Sequence, residues 1–216
     1  MKKIISATIL TLALSACAGF KPDYIVRDAS ENSRPSWTVQ KNAYKSDDSA
    51  NKKKFRYYVN DAENPDQRLC LKSAEARATQ KVASEIAQEI ASRFSEKANS
   101  HDDESTRKVK EDLEQNIKVS LHGVAVQGKY WEKRQYSREL GAEKDKTAYK
   151  CDVAVRISNE ALAEALEAYK TKTLNSLKES DKQPMKEAIN STIGLIKAGS
   201  PLAGAVADAV VNGAAE

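Results

Sequence analysis

Chemistry in this chain would have to come from few side chains. Among its 216 residues there are three cysteines, Cys17, Cys70 and Cys151, and two histidines, His101 and His122. Thiolates that hold zinc come in closely spaced pairs, and no such pair occurs. The run His101-Asp102-Asp103-Glu104 gathers four donors, yet it lacks the spaced ligands and glycine of a calcium loop, so it reads as a solvated break between helices. His122 precedes Gly123 at an expected helix end, where a cationic ring suits the dipole and needs no catalytic role. Glycine-rich phosphate loops and nucleophile elbows are absent from the sequence. No acid, base and nucleophile can be assembled into a constellation. The expectation is therefore no catalytic residues, no metal, no cofactor and no enzyme activity.

Binding chemistry has one candidate. Trp131 and Tyr136 sit among Lys129, Lys133, Arg134 and Arg138, and aromatics interleaved with basic residues can hold anionic or sugar polymers. The plainer reading, a solvated sheet face with a half-buried tryptophan, is favoured over it. On strict alternation Trp131 has the opposite parity to Val124 and Val126 and should face outward. Trp131, Tyr136 and Arg134 are thus the candidate partner contacts.

The first residues read as an export segment. Lys2 and Lys3 precede an apolar stretch of eleven residues, Ile4 to Leu14. A bilayer-spanning helix needs about 20, so this pattern predicts a cleaved signal over residues 1–16. Leu14-Ser15-Ala16-Cys17 resembles the lipobox of bacterial lipoproteins. That resemblance implies that Cys17 carries a diacylglyceryl thioether, becomes the first mature residue and is acylated on its amine. Three acyl chains exceed the two-signal threshold for stable anchoring. Ala18 follows where an aspartate would resemble an inner-membrane retention signal. The expected location is the outer membrane, facing the periplasm.

Loss of residues 1–16 removes Lys2 and Lys3, so Lys+Arg falls from 35 to 33 against 31 Asp+Glu. Such a balanced mature chain lacks the clustered basic excess of a nucleic-acid binder. With Cys17 lipidated, Cys70 and Cys151 remain as an even pair in an exported chain, which favours a disulfide over two buried free thiols. Closing a loop of about 80 residues is worth roughly 4.5 kcal/mol in the chain-entropy model.

Residues 17–54 are polar, contain Pro22 and Pro35, and show no sustained period, so they read as a lipidated tether. A coil of about 37 residues spans roughly 35 Å root-mean-square. Trp37 and Tyr44 are the exceptions and are expected to dock on the folded body. From Phe55 the chain alternates as a strand, and Asp66 can cap a helix carrying Ala74, Ala78, Val82, Ile86, Ile90 and Phe94 on one face. A second helix is expected over about 106–120, then a strand through Val124, Val126 and Tyr130. A charged hairpin loop with Gly141 leads to a second alternating strand through Tyr149, Cys151, Val153, Val155 and Ile157. Ser158 can cap the helix that follows, and Pro184 suits the first turn of another. The expected fold class is α+β: a three-stranded antiparallel sheet over residues 55–178, in the order β-α-α-β-β-α, with helices on one face. An Ala/Gly-rich helical extension, 179–216, would dock on the body or on a second copy.

Pro35-Ser36-Trp37, Arg56-Tyr57-Tyr58-Val59 and the alanine-rich stretch Ala74 to Phe94, behind a lipobox, resemble the twenty-kilodalton bacterial outer-membrane lipoprotein family. That resemblance implies a helix-on-sheet envelope lipoprotein without an active site. The expected role is structural or in assembly, with outer-membrane lipid held through Cys17 and with other envelope proteins or a second copy as partners. The alternative expectation is a periplasmic module that captures an envelope polymer such as peptidoglycan through the Trp131 strand. Nucleic acid is not an expected partner.

Overall fold

Alternation along Lys146–Ser158 builds the central strand, because Cys151, Val153, Val155 and Ile157 turn one way and are at most 1 % exposed. The computed structural model describes residues 22–39, 54–98 and 103–202. They form β1 (Tyr24–Ala29), β2 (Phe55–Asn64), α1 (Gln67–Ala98), α2 (Asp103–Ser120), β3 (Ala125–Tyr136), β4 (Lys146–Ser158), α3 (Asn159–Ser176) and α4 (Glu179–Lys197). The sheet is antiparallel throughout, with strand order β1-β3-β4-β2.

The α+β class with an antiparallel sheet is as the sequence predicts, but the sheet has four strands rather than three. The fourth, β1, comes from the stretch expected to be tether, and it pairs with β3 from Tyr24 opposite Tyr136 to Ala29 opposite Glu132. The element order becomes β-β-α-α-β-β-α-α. YIVRDA carries no period-2 signal because it is an edge strand with little to bury. What selects it is the free hydrogen-bonding edge of β3, which its own sequence does not reveal.

α1 packs against β2 and β4 on one side and α2 and α4 on the other. Its sheet-facing and helix-facing surfaces are both lined by alanine: Ala74, Ala78, Ala83, Ala87 and Ala91 are at most 1 % exposed. Small side chains let backbones approach closely, so α1 is enclosed along its middle. Two carboxylates are enclosed with it. Arg56, itself buried, lies 3.8 Å from Glu85 and donates to the Ser200 carbonyl at 2.6 Å, while Arg93 holds Glu89 at 2.5 Å. A buried carboxylate needs a cation or donors nearby to offset lost hydration.

Local chemistry sets the helix starts. Asp66 accepts from the Leu69 amide at 2.8 Å, and Ser158 accepts from the Ala161 amide at 3.1 Å. Pro184 does not open its helix as expected. α4 begins a turn earlier, at Glu179, and Pro184 lies inside it. α4 belongs to the body rather than to an appendage, since Met185, Ala188, Ile189, Ile193 and Ile196 join the common core. The remainder of the expected extension, from residue 203, lies outside the described residues.

Cys70, in the first turn of α1, is bonded to Cys151 at the middle of β4, with Cα atoms 5.8 Å apart and both side chains fully buried. The bond closes 81 residues. Replacing both cysteines (Cys70→Ala with Cys151→Ala) is expected to lower unfolding free energy by about 4 kcal/mol, read from urea denaturation. In the parent, reductant applied during unfolding should produce the same loss. An unchanged midpoint would contradict a stabilising bond.

Candidate functional site

The bonding register assigns every β3 and β4 side chain to a face. One face, carrying Cys151, Val153 and Val155, meets α1. The other carries Tyr130, Glu132, Arg134 and Tyr136 of β3 opposite Asp152, Lys150, Ala148 and Lys146 of β4, with Tyr57, Val59, Asp61 and Glu63 of β2 beside them. Alternation in β4 suggests that this second face is solvated. Instead Asp152 is 1 % exposed and Ala154 7 %.

Residues 34–38 cover it. Pro35 leads into a single 3₁₀ turn, Ser36–Thr38, closed by the Thr38 amide donating to the Pro35 carbonyl at 3.1 Å. Thr38 is fully buried and accepts from Arg34 at 2.8 Å, and Arg34 reaches Asp152 at 3.2 Å. The Trp37 ring lies over Gly128 so closely that an added Cβ there would stand 3.2 Å from it. Trp37 therefore does dock on the body, as its isolation in a polar stretch predicts. Tyr44 lies outside the described residues.

Beneath and beside this clamp the charges pair among themselves. Tyr130 donates to Glu132 at 2.9 Å, and Glu132 accepts from Arg134 at 2.7 Å. Arg134 stacks over the Tyr24 ring at 4.0 Å. Glu63 accepts from Tyr136 at 2.6 Å and from Lys146 at 2.5 Å, and Lys150 pairs with Asp61. Four carboxylates, Asp61, Glu63, Glu132 and Asp152, thus meet four cations, Arg34, Arg134, Lys146 and Lys150.

The electrostatics match a self-satisfied face. Burial pushes the Asp152 carboxyl above the usual aspartate range, against the pull of Arg34 and Lys150. Burial, with donation to Glu132, pushes Tyr130 up to about 12. Burial, with donation to Glu63, does the same for Tyr136. Both phenols are fixed donors at neutral pH, not acids or bases. Burial also pushes Glu63 up, but the hydrogen bonds from Lys146 and Tyr136 outweigh it and hold that carboxyl below its usual range.

The candidate residues of the sequence separate accordingly. Cys70 and Cys151 come together. Cys17 and His101 lie outside the described residues, and His122 is exposed. Arg134 and Tyr136 share the clamped face, with 8 % and 9 % exposure and internal partners. Trp131 does not join them. It lies on the α1 side opposite Cys151, half-buried, edge-on to Tyr149 with ring centroids 5.7 Å apart. The outward orientation expected from parity fails because β3 carries a register shift between Val126 and Gly128. One extra residue reverses every face that follows. Val126, opposite Val155, and Trp131, opposite Cys151, thereby share a side.

Sequence reasoning missed Arg34, Gly128, Glu132 and Asp152 as members of one assembly. The only signal was a glycine in a strand, which marks a bulge or a close approach. Elsewhere, a groove of about 790 Å³ opens at the Phe55 and Ser158 end of the sheet, walled by Glu160, Glu164 and Glu167 against Lys54 and Lys197. Among the described residues no cluster of His, Cys, Asp and Glu could hold a metal ion, and no helix is long and apolar enough to cross a membrane. No protein-family model, curated protein or solved structure matches this chain.

Two outcomes test the clamped face. Gly128→Val should push Trp37 off the sheet, red-shifting its emission in a Trp131→Phe background while strand circular dichroism persists. An unshifted spectrum would contradict the contact. Glu63, with its folded value below its unfolded one, contributes stability that is present above the unfolded value and lost on acidification through the folded value. Glu63→Gln should therefore flatten the acid limb of a stability–pH profile, and an unchanged limb would exclude that contribution.

Proposed function

We propose that this chain is an outer-membrane lipoprotein, anchored through acylated Cys17 and facing the periplasm, with a structural or assembly role among envelope proteins. The observation that carries the reading is Leu14-Ser15-Ala16-Cys17 at the end of a short apolar export stretch. The buried Cys70–Cys151 bond supports it, because such bonds persist in oxidising compartments such as the periplasm. The clamped face supports a non-enzymatic role. Its charged groups pair with one another, and its phenols are held protonated at neutral pH. Kinship with the twenty-kilodalton outer-membrane lipoproteins belongs to this same proposal, resting on Pro35-Ser36-Trp37, Arg56-Tyr57-Tyr58-Val59 and the alanine-rich α1.

Capture of peptidoglycan along the Trp131 strand has less support. Trp131 lies on the opposite side from Arg134 and Tyr136, and those two are engaged internally.

Cys17→Ser should abolish the acyl mass on the N-terminal peptide and move the protein from the membrane to the soluble fraction. Retention of the variant in membranes would overturn the anchor. In-cell crosslinking of the parent should capture an envelope protein or a second copy. A strict monomer by light scattering with no crosslinked product would overturn the assembly role.

A further inference from the structure

We propose that the domain stands on the bilayer by one end of its sheet, with the β3–β4 hairpin and the start of α1 resting on phospholipid headgroups. The inference rests on the anchoring at Cys17 proposed above, and it identifies the surface that meets the lipid.

Two independent observations point to this end. The first is where Tyr24, the residue of the sheet nearest in sequence to Cys17, is held. Tyr24 pairs with Tyr136, the last residue of β3, and the Ser137 amide donates to the Asp23 carbonyl at 3.3 Å. Asp23 and Tyr24 thus lie beside the hairpin turn, Arg138–Leu140 with Gly141 at φ 100°. Six residue steps separate Cys17 from Asp23, a reach of at most about 22 Å at ~3.6 Å per residue. A 37-residue tether would let any face of the domain reach the lipid, whereas six residue steps keep Asp23 within that distance of it. β4 runs from this end for 13 residues, about 41 Å at a rise of ~3.4 Å each. Its far end, with the groove beside Ser158, therefore lies well beyond the reach of the anchor when the strands stand upright.

The second observation is where apolar side chains meet water. Six large hydrophobic residues among those described are exposed: Ile25, Val26, Val39, Leu69, Val126 and Leu140. Four of them share the anchor end. Ile25 and Val26 open β1 opposite Gln135 and Arg134, Leu140 crowns the hairpin turn, and Leu69 sits in the first turn of α1, just after β2 ends at Asn64. Leu69 is 53 % exposed although it opens the most enclosed helix of the fold. Apolar side chains set among charged ones suit the headgroup boundary, where the tips enter the acyl region and the charges stay wet. The hairpin's charges alternate, Arg138, Lys144 and Lys146 against Glu139, Glu143 and Asp145. Attraction to anionic lipid therefore adds little, and the contact should be insensitive to salt.

The test uses the full acylated chain in phosphatidylethanolamine–phosphatidylglycerol vesicles. Bimane is placed on single Leu140→Cys, Leu69→Cys or Glu164→Cys variants, with lipids spin-labelled near the headgroup as quenchers. Quenching at positions 140 and 69 at least three-fold stronger than at 164, and unchanged by 0.5 M salt, is the expected result. Equal quenching at all three sites would mean that the domain lies flat or tumbles, and would overturn the proposal. Shielding at 140 and 69 that rises with protein concentration in the lipid-free Cys17→Ser chain would assign this end to a second copy, and would also overturn it. Absence of acyl mass on Cys17 in the parent would remove the anchor reading itself, a failure visible before any quenching is measured.

Discussion

The close approach of α1 to β2 and β4 is the contact on which the other arrangements depend. Alanine at Ala74, Ala78, Ala83, Ala87 and Ala91 brings the helix near enough to the sheet for Cys70 to bond Cys151. The same thinness lets α2 and α4 close over the far side of α1. The middle of the helix is then buried nearly all round, and Glu85 and Glu89 must be met by Arg56 and Arg93. Arg56 carries the consequence outward. By donating to the Ser200 carbonyl it ties the turn after α4 to the sheet. Apolar packing, a covalent bond and a buried ion pair thus converge on one helix.

The two faces of the sheet use different physics. Toward α1 the contact is apolar apart from the buried Arg56–Glu85 pair, and its contribution is roughly proportional to the apolar area removed from water. Away from α1, charges in ordered pairs are covered by a five-residue clamp. Lys146–Glu63 is partly exposed and contributes little, and in the buried Arg134–Glu132 pair attraction is offset by lost hydration, so this face adds register more than free energy. The β1 and β2 edges are also guarded. The Asp61 carbonyl accepts from Arg77 and its amide donates to Asn60, which blocks the middle of the β2 edge against a further strand. β1 carries a register shift between Val26 and Asp28, a bend that serves the same end.

Recruitment of residues 24–38 into the fold changes the proposed mode of anchoring more than it changes the core. A long spacer would decouple the domain from the membrane surface. With Tyr24 already paired in the sheet, only six residue steps separate the adjoining Asp23 from the proposed acylated Cys17, so under that proposal the end of the sheet beside Tyr136 stays near the bilayer. The groove between α3, Lys54 and Lys197 lies at the opposite end of β4 from the hairpin, which the proposed anchoring would turn away from lipid.

Patterns with a short range were legible in the chain itself. Alternation defined β2 and β4, four-residue spacing defined one face of α1, and side-chain oxygens at Asp66 and Ser158 marked helix starts. All of these depend only on neighbours a few residues away. The pairing of Cys70 with Cys151 was legible from cysteine parity and the expected compartment, not from spacing. Long-range choices were not legible. β1 exists because β3 offers a free edge 108 residues from Arg27, where Gln135 accepts the Arg27 guanidinium. The orientation of Trp131 turns on one bulged residue at position 127, and a period-2 reading cannot see an insertion that strand pairing alone imposes. Asp152 looked solvated because alternation reports which side a residue takes, while only the tertiary fold brings Arg34 and Trp37 to cover that side.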